Sequence, residues 1–382
     1  MSAQKHIAIL ITALGAGGAE RVIAMLAHHW IGRGHRVSII TFDRADEPVY
    51  HPLPAQVTLW RLGAQVSVGY RGNARRLLRL RETLGQLRPD ALVSFLTKNN
   101  LLAALACLGT STPLICSERN NPERQEANGL WNLLLKVGYR RADFIVCQTY
   151  AIRRCFPRSV RNRLVVIYNP IAGFDRDPGA DDAKMLCAVG RLTPQKGFPH
   201  LIDAFAKIAD RHPGWNLTIW GNGEIRTALE QQVAKLGLAG RISLPGTTDQ
   251  PGDWARDATI FVQSSLYEGF GNALGEALAS GLPVVATDCD FGPAEMIDSG
   301  ENGVLVPVQD TEAMAGAVSR LITDRDLRSR YGAMAKVSMR KFEPAAILSR
   351  WDDLIEATTD PHRKASPRLR SGSAAVSGST AA

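Results

Sequence analysis

Apolar residues along this chain gather in short β-branched runs separated by stretches with helical spacing. Runs at 6–13, 36–42, 91–96, 113–117, 144–148 and 164–168 predict strands, with helices at 20–32, 74–87, 101–108 and 130–141 between them. The strand runs are apolar at consecutive positions, not alternate ones. That marks strands covered on both faces, hence a parallel sheet with helical crossovers. Asn169-Pro170 and the polar stretch 175–182 break the pattern and read as a linker. The pattern then restarts, with strands at 185–189, 217–220, 242–244, 259–263, 284–287 and 303–306 and helices at 197–212, 225–236, 272–280, 311–323 and 326–341. The predicted fold class is α/β: two doubly wound parallel-sheet Rossmann-like domains facing a cleft. The first spans 1–170 and the second 171–343; an amphipathic helix over 344–357 and a disordered basic tail over 358–382 follow.

A chain of 382 residues that is 45% hydrophobic excludes a disordered protein and a small stapled scaffold. No apolar run reaches the roughly 18 residues that span a bilayer, and the N-terminus reads as a buried strand in preference to a signal peptide. The six cysteines form no Cys-x-x-Cys, and Cys107, Cys116, Cys147 and Cys187 lie in apolar runs, as reduced core residues of a cytosolic protein would. The net charge of +8 is unevenly spread: residues 1–170 hold 3 Lys and 20 Arg against 10 acidic residues, a net +13, and the remainder carries −5. A basic half attracts nucleic acid, anionic lipid or phosphorylated substrates, or is simply an Arg-rich solvated surface. Arg71, Arg75, Arg76, Arg79 and Arg81 crowd one predicted helix beside Leu77, Leu78 and Leu80.

Ligands of open parallel sheets sit beyond the carboxyl ends of strands, so the segments after strands carry the candidate chemistry. Gly15-Ala16-Gly17-Gly18 follows the first strand and precedes a helix opening at Ala19-Glu20-Arg21. Its N–H groups suit an anion, or make a ligand-free tight turn. Glu20 at the sixth position breaks the Gly-x-Gly-x-x-Gly dinucleotide fingerprint. Gly190-Arg191-Leu192-Thr193-Pro194-Gln195-Lys196-Gly197 follows the first strand of the second half. Its two cations suit a diphosphate, Arg191 as a bidentate fork and Lys196 as a point charge. In Tyr267-Glu268-Gly269-Phe270-Gly271-Asn272-Ala273-Leu274-Gly275-Glu276-Ala277, Asn272 is the expected N-cap and Glu276 lies one turn on, along the same face. Two carboxylates beside an anion site suit the hydroxyls of a sugar or ribose. A dipole-favoured helix-start glutamate explains Glu276 in part and Glu268 not at all.

Gly-Gly-Ala-Glu-Arg, Gly-Arg-Leu-x-x-x-Lys-Gly, Gly-Asn-Gly-Glu and the Glu-x7-Glu element Glu268–Glu276 together resemble retaining glycosyltransferases of family 4, which have the GT-B fold. The resemblance covers 6–357 and is strongest over 186–307, where 281–287 and 301–306 also fit. It implies that Arg191 and Lys196 hold a donor diphosphate without a metal and that Glu276 binds the ribose hydroxyls. Glu268, with the backbone N–H groups of Phe270, Gly271, Asn272 and Ala273, would hold the transferred sugar and the distal phosphate, and Gly269 counts among the donor-binding residues. Gly17 and Gly18 would close over that phosphate from the other domain. The Leu244-Pro245-Gly246 loop would meet the nucleobase, Gly221-Asn222-Gly223 would shape the donor pocket, and the last helix would cross back onto the first domain. One position departs: a His common in the family after the strand 113–117 is replaced by Ser117-Glu118-Arg119-Asn120. Glu118 and Arg119 are the acceptor-side candidates, a strand-end salt bridge being the alternative for both.

The implied reaction moves a hexosyl or N-acetylhexosaminyl unit from a nucleoside diphosphate sugar, UDP ahead of GDP, to a lipid-linked or cell-surface polysaccharide acceptor, with retention. Glu268, Arg191 and Lys196 carry the catalytic charge. No cofactor is expected, the nucleotide sugar being a co-substrate, and no metal. A basic acceptor domain suits a lipid-linked glycan and an anionic membrane surface, so the expected location is cytoplasmic, peripheral on the inner face of the membrane. Nucleic acid is not an expected partner, and the sequence sets no oligomeric state. A nucleotide-sugar epimerase would carry more carboxylates in the cleft. An anionic-lipid or nucleic-acid binding protein would leave Arg191, Lys196, Glu268 and Glu276 unexplained.

Overall fold

A computed structural model describes residues 3–63, 70–119, 135, 138–177, 179–248 and 250–360. The expected helix over 130–141 lies mostly outside these residues, as does the expected tail from 361 onward. In the first half, β1 (His6–Leu10), β2 (Arg36–Thr41), β3 (Thr58–Arg61), β4 (Ala91–Phe95), β5 (Leu114–Ser117), β6 (Phe144–Cys147) and β7 (Leu164–Val166) form a sheet in the order 3-2-1-4-5-6-7. Its helices are α1 (Gly18–Gly32), α2 (Tyr70–Leu87), α3 (Thr97–Ala106) and α4 (Tyr150–Cys155). In the second half, β8 (Met185–Val189), β9 (Asn216–Trp220), β10 (Ile242–Gly246), β11 (Ile260–Gln263), β12 (Val284–Thr287) and β13 (Val304–Val306) run in the order 10-9-8-11-12-13. They are joined by α5 (Phe198–Ala209), α6 (Arg226–Lys235), α7 (Asp253–Arg256), α8 (Asn272–Ala279), α9 (Pro293–Met296), α10 (Thr311–Thr323) and α11 (Arg325–Ser338), and α12 (Pro344–Thr359) follows.

Every strand pairing among these is parallel. Central strands such as β1 and β4 are buried at each of their positions, the consequence of helices on both faces. The edge strand β3 is only half-buried and has no apolar run, which is why the pattern misses it. The pattern also misses α4, α7 and α9, single turns too short to show a period. Helix α3 starts four residues ahead of its expected position. Asn99 and Asn100 mask its first turn: both are buried, and their amides donate to the Phe95 and Ser117 carbonyls. The last helix overruns its expected end, because Thr358 is buried and its hydroxyl donates to the Leu354 carbonyl.

Strand order reverses between β1 and β4 in one sheet and between β8 and β11 in the other. Connections leave these positions toward opposite faces and open a crevice at the strand ends. Gly17 and Gly18 lie at the first crevice; Arg191, Lys196 and the 264–272 loop lie at the second. The chain passes between the halves twice, near 170 and near 343, and the passages are bonded together by Ile171 N–H donating to the Phe342 carbonyl at 2.8 Å. Beyond the second passage, α12 packs onto the first half. Ile347, Trp351, Leu354 and Ile355 join a cluster with Ile7, Ile9, Trp30 and Phe95, and the Trp351 ring stacks on Phe95 with centroids 6.0 Å apart.

Candidate functional site

The loop after β8 lies directly on the loop after β11. A side chain at Gly197 would put its Cβ 2.1 Å from the Ser264 carbonyl, and the backbone there has φ +62, so only glycine permits the approach. The approach brings Lys196 Nζ 2.6 Å from Glu268 Oε1. The Ser265 hydroxyl donates to the same oxygen at 2.7 Å, and the Glu268 N–H donates to the Asp290 carbonyl at 2.6 Å. The Glu268 side chain is 7% exposed and that of Lys196 20%. The cost of burying this carboxylate is offset by its cation and its hydroxyl partner. Arg191 is exposed on the same loop, in no ion pair among the described residues.

Helix α8 begins at Asn272, after Gly271 in the left-handed region at φ +92, and no side chain caps it. Its first N–H groups therefore stand ready for an anion. The expectation that Asn272 is the N-cap is corrected: it is the first helical residue, and its Oδ1 accepts from Asn169 Nδ2 at 2.7 Å, between the halves. Glu276, one turn on, is buried, and its carboxylate pairs with Arg21 from α1. Burial holds the Glu276 carboxyl above its usual range, and the Arg21 charge opposes that rise.

The N-terminal turn of α1 meets α8 face to face: a Cβ on Gly18 would lie 2.7 Å from Asn272 Nδ2. Gly17 precedes the helix as its cap, and a Cβ there would run into the Glu20 carboxylate at 2.2 Å. Gly246 lies beside Asn222 at the far end of the site; the Gly221 N–H donates to the Gly246 carbonyl and the Leu192 N–H to the Asn222 carbonyl. The loops after β8, β9 and β10 thus form one connected rim.

Glu118 does not reach this cleft. It is fully buried in the first half, with the Thr97 and Tyr139 hydroxyls each donating to it at 2.5 Å. The expected acceptor contact is replaced by a core carboxylate. Arg119 is also buried: Nε donates to Ser117 Oγ at 2.9 Å, Nη1 to Asn169 Oδ1, and the guanidinium lies 4.8 Å from the Phe95 ring centroid and 6.0 Å from that of Trp351. Burial lowers its pKa to about 9. Its backbone carbonyl abuts Gly269, whose Cβ would be 2.8 Å away. Sequence reasoning assigned nothing to Arg21, Ser265 or Asn169; Arg21 and Glu276 are 255 residues apart, and no local signal pairs them. It also passed over three Asp-x-Asp triplets, 175–177, 288–290 and 324–326. No three His, Cys, Asp or Glu side chains among the described residues form a metal-sized group.

Residues 16–172 match the family described as Glycosyltransferase Family 4, and residues 174–337 match Glycosyl transferases group 1. The chain belongs to glycosyltransferase family 4. Its two parallel-sheet domains are those of the GT-B fold. An exopolysaccharide phosphotransferase of Streptomyces coelicolor is 32% identical over 294 residues, 75% of this chain. The chain spans only 31% of the length of that relative. A Campylobacter jejuni N-acetyl-D-galactosaminyltransferase, named for a PP-undecaprenol substrate, is 26% identical over 91% of this chain and 98% of its own length. Among solved structures, Anabaena HepE, in complex with UDP and glucose, superposes with a TM-score of 0.78 over 93% of this chain and 100% of its own, at 20% identity.

Proposed function

We propose that this family 4 protein is a retaining glycosyltransferase that moves a hexosyl or N-acetylhexosaminyl unit from a nucleoside diphosphate sugar to a lipid-linked or cell-surface polysaccharide acceptor. The observation that carries the reading is the Lys196–Glu268 pair beside the uncapped start of α8, with Glu276 one turn along the same helix. Glu276 then anchors the ribose, the α8 N–H groups with Lys196 and Arg191 hold the diphosphate, and Glu268 takes sugar hydroxyls. As the anomeric bond breaks, positive charge grows on the ring and negative charge on the departing diphosphate. Fixed cations and N–H dipoles in a cleft screened from water stabilise that departing charge where it develops. They supply this without a metal. UDP in the Anabaena structure supports UDP over GDP, and the Campylobacter relative's name supports a lipid-linked acceptor.

Such an acceptor lies at a membrane surface, and no helix among the described residues is long and apolar enough to cross one. On α2, Leu78 is 69% exposed and Arg75, Arg79 and Arg81 are exposed around it, while Leu80 and Leu84 turn inward. Arg76 instead lies over the Phe42 ring. This supports peripheral, salt-screened binding to anionic lipid on the inner face of the membrane. A thermal-shift screen against UDP-, GDP- and ADP-sugars, with and without EDTA, followed by a transfer assay, tests the reading. Stabilisation by one nucleotide series, with turnover unchanged in EDTA, is expected. Loss of activity in EDTA, restored by Mg²⁺, would move the diphosphate onto a metal and direct attention to Asp288 and Asp290. No shift with any nucleotide sugar would reject the donor site.

A further inference from the structure

The Arg21–Glu276 pair joins the two halves at a point where the proposed function needs a free carboxylate. Arg21 is in the first turn of α1, Glu276 in the second turn of α8, and the two helix starts touch at Gly18 and Asn272. Among the described residues, Arg21 is the only side chain bonded to the Glu276 carboxylate. The Glu276 side chain is 9% exposed and that of Arg21 36%, so the guanidinium enters from the cleft and can leave by it. Arg21 Nη1 takes the Oε1 atom of Glu276, so a ribose whose two hydroxyls engage both carboxylate oxygens competes with Arg21 for that atom.

We propose that Arg21 is a donor ligand that changes partners: it holds Glu276 in the free protein and passes to the donor diphosphate when ribose hydroxyls take the carboxylate. The proposal rests on the donor reading above. The exchange needs no uncompensated charge. Glu276 gives up one cationic partner and gains two hydroxyl donors, while Arg21 gives up one carboxylate and meets a group with at least two negative charges. The guanidinium fork suits phosphate oxygens in geometry as well as in charge. Arg21 then joins Lys196 and Arg191 around the diphosphate, from the opposite side of the cleft. Glu20 shares the turn, and burial holds its carboxyl above the usual range. The pair also gives the free protein a contact that keeps the halves together until donor arrives.

Calorimetric titration of the full chain with UDP and uridine, and with GDP and guanosine, tests this on Arg21→Ala and Arg21→Lys. In the Ala variant the diphosphate should lose at least about tenfold in affinity, while the nucleoside binds as well as before or better, its competitor for Glu276 being gone. Arg21→Lys, which keeps the charge and loses the fork, should retain part of the preference for diphosphate and fall between the Ala variant and the unsubstituted protein. Equal weakening of nucleotide and nucleoside would make Arg21 a structural bolt and overturn the proposal, as would unchanged affinity for both. The donor reading itself fails in a different way. If the unsubstituted protein binds none of UDP, GDP and ADP, or if Glu276→Ala leaves nucleoside affinity unaltered, then that reading falls and this one with it.

Discussion

At the scale of single residues the site sets two buried carboxylates, Glu268 and Glu276, against one cation each, Lys196 and Arg21. Lys196 and Glu268 are 2.6 Å apart with side chains 20% and 7% exposed. Removing one partner of so buried a pair leaves the other stranded at a cost of about 3 kcal/mol. Lys196→Met should therefore lower stability in urea titration by roughly that amount, and Glu268→Gln in the same chain should recover most of it. Transfer activity should be lost in both, since neither supplies the cation. Glu276 gives a pH prediction. Its carboxyl is raised by burial and pulled back by Arg21, and ribose binding needs the ionised form. Nucleoside affinity should thus be present above the Glu276 pKa and fall as pH drops through it. Arg21→Ala removes the opposing charge, so the midpoint of that acid limb should move to higher pH in calorimetry across a pH series.

At the scale of elements, helix starts and strand ends do the positioning. The α8 start is set by Gly271 and left uncapped, and Asn272 is recruited to Asn169 and through it to Arg119. A hydrogen-bonded line thus runs from Arg119, which lies over the Phe95 and Trp351 rings, through Asn169 at the passage near 170, to the first residue of α8. Gly269 lies against that line, 2.8 Å from the Arg119 carbonyl at the Cβ position. A backbone carbonyl cannot swing aside as a side chain can. Gly269→Ala should therefore leave the circular dichroism spectrum unchanged, increase the radius of gyration in solution scattering, and lower transfer by about tenfold or more through misplacement of the cleft walls. A protein with native turnover and dimensions would show that this contact does not set the closure.

At the scale of the whole molecule, two sheets with reversing strand order face each other across a cleft, and the last helix returns to the first half. Trp351 is fully buried between Trp30 and Phe95 and lies beneath Arg119. Trp351→Ala should destabilise the chain by about 3–5 kcal/mol, seen as a lower midpoint in thermal or urea unfolding, and should also weaken activity by loosening Arg119. The sequence alone determined the α/β alternation and the parallel sheets, and it marked the segments after β8 and β11 as the candidates for a site. Consecutive apolar residues mark doubly covered strands, and cations between glycines mark phosphate turns. Its limits were local. Edge strand β3 and the one-turn helices have no period to read, and buried asparagines hid the start of α3. Glu118 read as a cleft residue because it follows a strand, yet the Thr97 and Tyr139 hydroxyls hold it in the core. Arg21 was legible only as the end of a motif, Asn169 only as a break in the pattern and Ser265 not at all, since their pairings lie with partners brought near by folding. Periodicity and turn chemistry act between neighbours in the chain, so sequence records them. Pairing across the cleft depends on how two separately folded sheets meet, and only the tertiary structure fixes that.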